Sequence, residues 1–472
     1  MADHNNQLIV MDTSSMARNR YKTVVDSLAE DIRTGRLTPG TRLPTHRDLA
    51  AKEGIALVTA SRIYAELALM GLVSGEAGRG TFVREITKPP GHGIDQNPTA
   101  PDMIDLNFNY PELPEQTELL RSALKRLASS GNLEALLRYQ PHAGRAHERA
   151  IIARHLACAG LPTSAEDVLI VSGAQHGLAV TVMAMLRPGD VVAVDSLTYS
   201  GFKALAQAQH LELLPIPSSA DGPDFDALDR LCQTRKVRAV YVMPTLHNPL
   251  GWVLNLAQRR RLIDIARRHA LLIVEDAAYA FLVENSPPPL AALAPESTIY
   301  VSGLSKSTAT GLRVGYVVAP SKWVPRIERA IRASTWNTPS LMTAIACDWI
   351  EDGTVARMQI QKRKDALVRQ SLARRVLGDQ TCSGYEASYF LWINLPAEVR
   401  SDQVVMELLR ANIAVSSAEP FATTEHVPQA IRLALASVSL SLLEAALSKV
   451  AQVIYDCSCG VVGSGNPDSR DT

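Results

Sequence analysis

Apolar residues recur at helical spacing in three segments near the start of the chain. In the first segment, Val24, Val25, Leu28 and Ile32 lie three or four residues apart and mark one face. Thr45 is the predicted N-cap of the second helix, because its hydroxyl can accept a hydrogen bond from a backbone N–H in the first turn. Helices are therefore predicted over three ranges: 21–34, 47–52 and 58–70.

A hairpin is predicted directly after the third helix. Short apolar runs at 72–73 and 81–83 flank the glycine-bearing stretch 76–80, which is typical of two strands joined by a tight turn. Three helices followed by a β-hairpin predict a winged helix-turn-helix over residues 18–85. The stretch 86–103 holds four prolines and two glycines and has no apolar periodicity, which predicts a semi-stiff linker.

Beyond the linker, short apolar runs alternate with helical patterns. This alternation predicts an α/β domain over 104–456, with a mainly parallel sheet covered by helices on both faces and a smaller α/β unit at its C-terminal end. The segment 457–472 is rich in Gly, Ser and Asp and is predicted to be a disordered tail. The six runs predicted as buried strands of the main sheet are 168–171, 191–194, 239–243, 271–274, 299–301 and 316–318.

Composition narrows the class of protein. The 472 residues are 46% hydrophobic and 20% charged, which is typical of a soluble globular protein of two or more domains. Lys+Arg and Asp+Glu are both 48, so any contact with nucleic acid must be local. The six cysteines show no metal-binding spacing and are interpreted as reduced thiols of a cytoplasmic protein. A polar start and the lack of a run of roughly 20 apolar residues predict neither a signal peptide nor a membrane span.

Polar side chains suited to chemistry follow the predicted strands. Lys306 comes just after the apolar run 298–304, where desolvation disfavours the ammonium form and a neutral amine can form a Schiff base with an aldehyde. Ser305 and Arg313 offer donors and positive charge for a phosphate. Asp276, buried at a strand end, needs a cationic partner such as a protonated pyridine nitrogen. Singly, these residues also fit a surface lysine and a helix N-cap, but together they predict pyridoxal 5'-phosphate (PLP).

Further residues at strand ends suit the same cofactor. Backbone amides of Ala174 and Gln175 open a predicted helix and can hold a phosphate. Tyr199 can stack on a planar ring, and Asn248 can donate to a phenolate oxygen that Tyr279 also reaches. Each also has a plain structural interpretation, such as the turn that Asn-Pro favours.

Arg432 lies inside the apolar run 430–436 of the smaller unit. A buried arginine needs an anion, and a bidentate carboxylate fits its guanidinium well. The sequence therefore predicts that Arg432 binds a ligand carboxylate, with a structural ion pair as the alternative.

The string GRLTPGTRLPTHRDLAAKEGI and, shortly after it, IYAELALMGLVSGEAGRGTFV resemble the DNA-binding domain of the GntR family of bacterial regulators. The resemblance implies that the helix 58–70 enters the major groove. Ala56 and Leu57 stand where the family usually has Ser-Arg, which removes an N-cap and a cationic contact. An interaction module without DNA binding is the alternative. The residues implied in DNA contacts are Arg47, Thr59, Arg62 and, at the tip of the wing, Arg79.

Asp276 followed by Lys306 resembles the fold-type I PLP enzymes of the aspartate aminotransferase superfamily, over about 104–451. The resemblance implies that Tyr139 reaches the phosphate of a neighbouring subunit, and hence a dimer. Gly303 stands where a hydroxyl commonly contacts the phosphate. The cofactor residues implied within the chain are Lys306, Asp276, Asn248, Tyr279, Tyr199, Ala174, Gln175, Ser305 and Arg313.

A GntR-type winged helix fused to an aminotransferase-like domain resembles the MocR subfamily of transcription regulators. The resemblance implies a domain-swapped homodimer that binds operator DNA in response to PLP, an amino compound or their adduct. A working aminotransferase is the alternative, because Lys306, Asp276 and Arg432 suffice for transamination. A regulator that has lost PLP is disfavoured, because the lysine and its partners are present.

Overall fold

The computed structural model describes residues 13–33, 36–37, 41–70, 72–76, 80–83, 103–129, 133–219, 222–378, 380 and 382–459. The chain divides into two compact units, Met1–His92 and Gly93–Thr472. Most of the predicted linker and the last thirteen residues of the predicted tail lie outside the described residues. No helix in the described part of the chain is long and apolar enough to cross a membrane.

The first unit has three helices and a two-stranded antiparallel sheet, as predicted. Apolar side chains from all three helices and the hairpin are buried together, among them Val25, Ala60, Ile63 and Leu67. Its elements are α1 Thr13–Arg33, α2 His46–Glu53, α3 Leu57–Leu69, β1 Val73–Glu76 and β2 Gly80–Val83.

The ends of the helices follow the local sequence. Thr45 caps α2 through its hydroxyl, which accepts the Asp48 N–H at 3.2 Å, and the Asp48 carboxylate accepts the Thr45 N–H in return. This capping box confirms the predicted N-cap. Ala56 gives α3 no side-chain cap, and the first turn exposes Leu57 and Val58 by 47% and 80%. The departure read from the sequence thus leaves an uncapped helix with an apolar leading end.

The second unit contains thirteen α-helices among its described residues. In chain order they are α4 Gln116–Ser129, α5 Leu133–Leu136, α6 Ala146–Cys158, α7 Ala174–Met185, α8 Ser200–Ala208, α9 Phe225–Thr234, α10 Leu256–His269, α11 Leu290–Leu293, α12 Val324–Ser334, α13 Ser340–Glu351, α14 Thr354–Leu377, α15 Ser401–Arg410 and α16 Leu440–Cys459. The helix α16 extends into the predicted tail, so the prediction that the tail begins at Cys457 is wrong by three residues. Burial of Cys457 against the smaller core explains why this last turn stays helical.

The strands of this unit form a large sheet, a small sheet and three short pairs. In chain order they are β3 Ile104–Asp105, β4 Val168–Val171, β5 Val191–Asp195, β6 Glu212–Ile216, β7 Ser218–Ser219, β8 Gly222–Pro223, β9 Val237–Val242, β10 Leu272–Asp276, β11 Thr298–Gly303, β12 Gly315–Val318, β13 Cys382–Ser383, β14 Phe390–Asn394, β15 Ile413–Ala414, β16 Ser416–Ser417 and β17 Ala430–Ala434.

The large sheet has seven strands in the order β4-β12-β11-β10-β9-β5-β6. Only β12 runs antiparallel to its neighbours, so the predicted mainly parallel sheet is confirmed. All six predicted strands are present. The edge strand β6 was missed because Glu212 and Pro215 interrupt its apolar pattern, which an edge position tolerates. The carboxyl ends of β9, β10 and β11 meet at one edge, where ligands bind in such sheets.

The small sheet is antiparallel, with strand order β13-β14-β17-β16. Its two central strands are almost wholly buried, and α14, α15 and α16 contribute to the core beside it. The helix α14 also reaches the large sheet, because Lys362 on it contacts the turn that follows β11. One helix therefore touches both sheets.

Candidate cofactor and ligand site

Lys306 lies in the turn that follows β11, at the carboxyl edge of the large sheet. Its Nζ donates to the Asn109 carbonyl oxygen at 2.9 Å and lies 5.8 Å from the centre of the Tyr279 ring. The Thr308 hydroxyl, which donates to the Leu304 carbonyl at 2.7 Å, closes the turn. The amine is thus held by a short, hydrogen-bonded turn, half-buried and beside the Tyr279 ring.

The two acidic residues that end β10, Glu275 and Asp276, have different hydrogen-bond partners. The Glu275 carboxylate accepts the N–H groups of Leu290 and Ala291 and so caps α11. The Asp276 carboxylate accepts from the Ala278 N–H at 3.0 Å and the Tyr241 hydroxyl at 2.8 Å. Asp276 is therefore the carboxylate left for a ligand.

Asp276 has no cationic side chain paired with it among the described residues, although it is 2% exposed. Burial raises the pKa of Asp276 to about 6, against which the two hydrogen bonds act. A cation beside the carboxylate would offset that desolvation. A protonated pyridine nitrogen fits this requirement.

Tyr199, Asn248 and Tyr279 gather around the same space. Burial, followed by the nearby Asp276 carboxylate and Tyr279 hydroxyl, raises the pKa of Tyr199 well above its usual value. The Tyr199 ring folds over Gly201, where a side chain would collide with it. Asn248 is buried and its Oδ1 accepts from Arg432 Nη1 at 3.3 Å. The structure thus brings together the predicted ring-binding residues.

A phosphate-sized group of donors lies at the N-terminus of α7. Arg313 Nη1 donates to the Ser305 hydroxyl at 3.4 Å, beside the Ala174 and Gln175 amides that open the helix. A Cβ at Gly315 would lie 2.9 Å from the Ala174 nitrogen, so glycine leaves that amide accessible. Free amides at a helix N-terminus with an arginine beside them suit a phosphate.

Gly303 lies where the backbone of β11 comes close to that of β12. A Cβ there would lie 3.0 Å from the Val314 carbonyl oxygen and 3.1 Å from the Gly315 Cα. A side chain at this position would require the facing backbone to shift by a few tenths of an ångström, so glycine suits the close approach of β11 and β12.

Arg432, on β17, is 4% exposed and faces the same site. Its Nη2 donates to the Asn107 carbonyl, its guanidinium lies 4.9 Å from the Phe421 ring centre, and its Nε has no partner. Burial lowers the pKa of Arg432 to about 10. Within the described part of the chain no carboxylate forms an ion pair with Arg432. The alternative interpretation, a structural ion pair, is therefore not what these residues show. A buried guanidinium that has no anionic partner is suited to a carboxylate ligand.

Three contributors to the site were not predicted. The Tyr241 hydroxyl orients Asp276, and the loop 106–110 supplies the carbonyl oxygens of Asn107 and Asn109 to Arg432 and Lys306. The third is Lys362, which is fully buried and donates to the carbonyl oxygens of Lys306, at 3.2 Å, and Thr308. In the sequence Lys362 lies within a basic run and resembles a solvated face.

Lys362→Met should change the pH dependence of stability. Burial, followed by the charge of Lys306, lowers the pKa of Lys362 to about 7 from 10.5. Below 10.5 the unfolded chain holds a proton that the folded chain releases, so the cost to stability grows as the pH falls toward 7. Relative to wild type, the variant should gain about 3 kcal/mol of unfolding free energy between pH 10 and pH 7. Tryptophan fluorescence during urea unfolding measures it, because all five tryptophans lie in the second unit.

The exposed Lys364, on the same helix, supplies the control. Lys364→Met should show no such pH-dependent gain. An equal stability difference between wild type and Lys362→Met at both pH values would contradict a depressed pKa at Lys362.

Tyr139 lies apart from this cluster. It is 85% exposed and its ring centre is 5.6 Å from that of Trp336.

The residues predicted to contact DNA lie in the first unit. Arg47 and Arg62 are exposed, Thr59 is half-buried, and the Arg62 guanidinium lies 5.2 Å from the Tyr21 ring centre. Arg79 lies outside the described residues.

Two family models match the two units. The aminotransferase class I and II model matches residues 101–450, and the model of bacterial regulatory proteins of the gntR family matches residues 20–83. The first match covers most of the chain.

Relatives of the same length are named as regulators. The HTH-type transcriptional regulator YdeF of Bacillus subtilis is 28% identical over 92% of this chain and 94% of its own. YjiR of Escherichia coli, also an HTH-type transcriptional regulator, is 27% identical over 92% of this chain and 99% of its own. The 2-aminoadipate transaminase of Thermus thermophilus is 27% identical over 70% of this chain and 83% of its own.

Solved structures show the same fold for the second unit. LysN, an alpha-aminoadipate aminotransferase from Thermus thermophilus solved with N-(5'-phosphopyridoxyl)-L-leucine, has a TM-score of 0.69 at 24% identity, over 76% of this chain and 93% of its own. A multiple substrate aminotransferase from Thermococcus profundus has a TM-score of 0.71 at 23% identity, over 76% and 93%. The class I and II domain implies pyridoxal 5'-phosphate as the cofactor, and the buried carboxylate, accessible amides and lysine fit it. The chain belongs to the aminotransferase class I and II family and, with its N-terminal gntR-family domain, to the MocR-type transcription regulators.

Proposed function

We propose that this regulator changes its binding to operator DNA when an amino compound with a carboxylate enters the PLP site. The observation that carries the proposal is Arg432, a buried guanidinium without a carboxylate partner among the described residues. It shares the site with Lys306. The same chain carries a DNA-binding unit, and transamination does not require such a unit. The protein would act in the cytoplasm, where its DNA is.

The cofactor supplies an aldehyde that reacts with amines and a ring that withdraws electrons. Lys306 would attach to it, and the Asp276 carboxylate would face its protonated ring nitrogen. Tyr241 would keep that carboxylate oriented by its hydrogen bond. The other residues that would hold the group are Asn248 and Tyr279 at the ring oxygen, Tyr199 on the ring face, and Ala174, Gln175, Ser305 and Arg313 at the phosphate.

The ligand would be bound at two ends. Its carboxylate would accept both N–H groups that Arg432 now gives to the Asn107 carbonyl and to Asn248. Its amine would approach the turn that carries Lys306. The fork of an arginine favours a planar, bidentate anion over a single hydroxyl. An amino acid or a related amino carboxylate fits this geometry.

A second copy of the chain would complete the site. Leu137 and Tyr139 are 87% and 85% exposed, and Trp336 adds a further exposed apolar surface beside Tyr139. Exposed apolar side chains of this size mark interaction surfaces. We propose a homodimer, domain-swapped, in which Tyr139 reaches the phosphate bound by the partner.

The first unit would bind DNA through α3, with contacts from Arg47, Thr59, Arg62 and Arg79. Arg62→Ala should lose roughly 1–3 kcal/mol of discrimination between operator and random DNA, because a base contact carries sequence information. Arg47→Ala is the matched variant. It should weaken binding to operator and to random DNA by similar factors, since a phosphate contact carries no sequence information. Fluorescence anisotropy with the two duplexes measures this. Equal losses on both duplexes for Arg62→Ala would refute its base-reading role.

A working aminotransferase is the second candidate, favoured by the complete set of Lys306, Asp276 and Arg432 and by the transaminase relative. The test is binding to the chain's own promoter region, with and without PLP, across a panel of amino carboxylates. A regulator should change its DNA affinity with one of them and form keto acid slowly or not at all. Rapid multiple turnover with unchanged DNA affinity would overturn the regulatory proposal.

A further inference from the structure

An open concavity with a volume of about 1000 Å³ lies on the second unit, away from the cofactor site. It is formed by the C-terminal end of α7, the loop before β5, the start of β9 and one side of α12. Asp190 is the one acidic side chain among its lining residues. The cationic side chains that line it are Arg187, Arg235, Lys236, Arg238, Arg326 and Arg329.

Four of these six cations have no partner in the described part of the chain. Arg235 pairs with Glu212 at 2.5 Å, and Arg238 lies 4.0 Å from Asp190. The side chains of four residues are exposed and form no ion pair or hydrogen bond within the described residues: Arg187, Lys236, Arg326 and Arg329. Arg187 contacts Asp190 only through its backbone N–H, at 2.8 Å. Like charges brought together around a concavity repel one another unless an anion lies between them.

This surface is independent of the cofactor site. Val191 and Val237 begin β5 and β9, so the cations lie at the amino ends of these parallel strands. Lys306 and Asp276 lie at the carboxyl ends, on the opposite edge of the same sheet. The excess charge is also local, because the whole chain has equal numbers of cationic and anionic residues.

We propose that this surface, which we call the basic surface, contacts phosphates of the DNA that the winged helix binds. Each strand of a duplex presents one phosphate about every 3.4 Å along the helix axis, so clustered cations on an open surface can contact successive phosphates. Arg326 and Arg329 lie three residues apart on α12 and so share a face on which they can span neighbouring phosphates. The chain's own DNA-binding unit raises the local concentration of DNA, so weak contacts suffice. The inference rests on the DNA binding of the regulator.

The salt dependence of DNA binding tests the basic surface. The full-length protein loaded with cofactor is titrated into a labelled random-sequence duplex at several salt concentrations. Removing two phosphate contacts with Arg326→Gln/Arg329→Gln should reduce the slope of log affinity against log salt by about 1.8. That change corresponds to roughly a tenfold difference in the affinity lost between 50 and 200 mM salt. Arg260→Gln/Lys449→Gln removes the same charge from exposed sites elsewhere on the unit and should leave the slope unchanged.

The possible outcomes separate this inference from the proposed function. An unchanged slope in Arg326→Gln/Arg329→Gln, or an equal decrease in the control, would refute the proposed contact between the basic surface and DNA. DNA binding by the wild type would still support the proposed regulatory function in that case. Failure of the wild type to bind any duplex would overturn both. Loss of tripolyphosphate binding in the double variant, with the DNA slope intact, would show a site for small anions instead of DNA.

Discussion

Lys306→Ala should abolish covalent attachment of pyridoxal phosphate and remove the visible absorbance of the protein. The amine at 306 is placed beside Tyr279, and the phosphate donors at the α7 N-terminus lie across the next strand, β12. No other lysine of the described chain combines these neighbours. Borohydride reduction of the wild type, followed by peptide mapping, should label Lys306 with a stoichiometry close to one per chain. The label should be absent from the variant.

Lys362 makes this test demanding. Its Nζ lies against the carbonyl oxygen of Lys306, and its depressed pKa of about 7 gives it a neutral, nucleophilic fraction at neutral pH. Both of its contacts are to backbone carbonyls, which a neutral amine still satisfies with two N–H donors. Lys362→Met should therefore keep the label on Lys306. A label that moves to Lys362, or persists in Lys306→Ala, would refute the assignment.

The sequence predicted the framework of the site because buried strands leave a local signal. The apolar runs 271–274 and 299–301 are each continuous, and Asp276 and Lys306 follow them within a few residues. Both residues could therefore be placed at strand ends and hence at one edge of the sheet. The same reasoning placed Asn248 and the α7 amides. The DNA-binding unit was predicted in comparable detail because its signals, such as the Thr45 cap, are local features of the sequence.

The contributors that were missed depend on contacts between distant parts of the chain. The Asn107 and Asn109 carbonyls act through their backbone, so no side-chain pattern points to them. Lys362 lies 56 residues from Lys306, and only burial distinguishes it from its exposed neighbour Lys364. The limited space beside Gly303 likewise depends on the pairing of β11 with β12, which the local sequence does not show.

The position of Arg432 connects the cofactor site to the small sheet. It lies on β17, which pairs with β14, and the start of β14 is tied to α14 because the Tyr389 hydroxyl donates to the Lys362 carbonyl at 2.8 Å. The same Lys362 holds the turn of Lys306. A ligand carboxylate bound to Arg432 therefore contacts β17, and hydrogen bonds connect β17 through β14 and α14 to the turn that carries Lys306. Any coupling to DNA is limited to the ligand's difference in affinity for the two states, typically about 1–3 kcal/mol.

Arg432→Leu should abolish the effect of the amino ligand on DNA binding while preserving the cofactor absorbance and ligand-free DNA affinity. The replacement removes a buried charge that lacks an anion, so folding should survive. Arg432→Lys, the matched variant, keeps the charge but loses the fork and should weaken ligand binding without abolishing it. Anisotropy titrations of operator DNA with and without ligand measure the effect.

Reciprocity gives a second measurement on the same proteins. Saturating operator DNA must change the apparent affinity for the ligand by the same factor as the ligand changes the affinity for DNA. In the wild type the two factors should agree within error, at about 5–150-fold for a coupling of this size. In Arg432→Leu both factors should equal one. A variant that still responds to ligand, or a wild type in which operator DNA leaves ligand affinity unchanged, would show that Arg432 is not the residue through which the ligand reaches the DNA-binding unit.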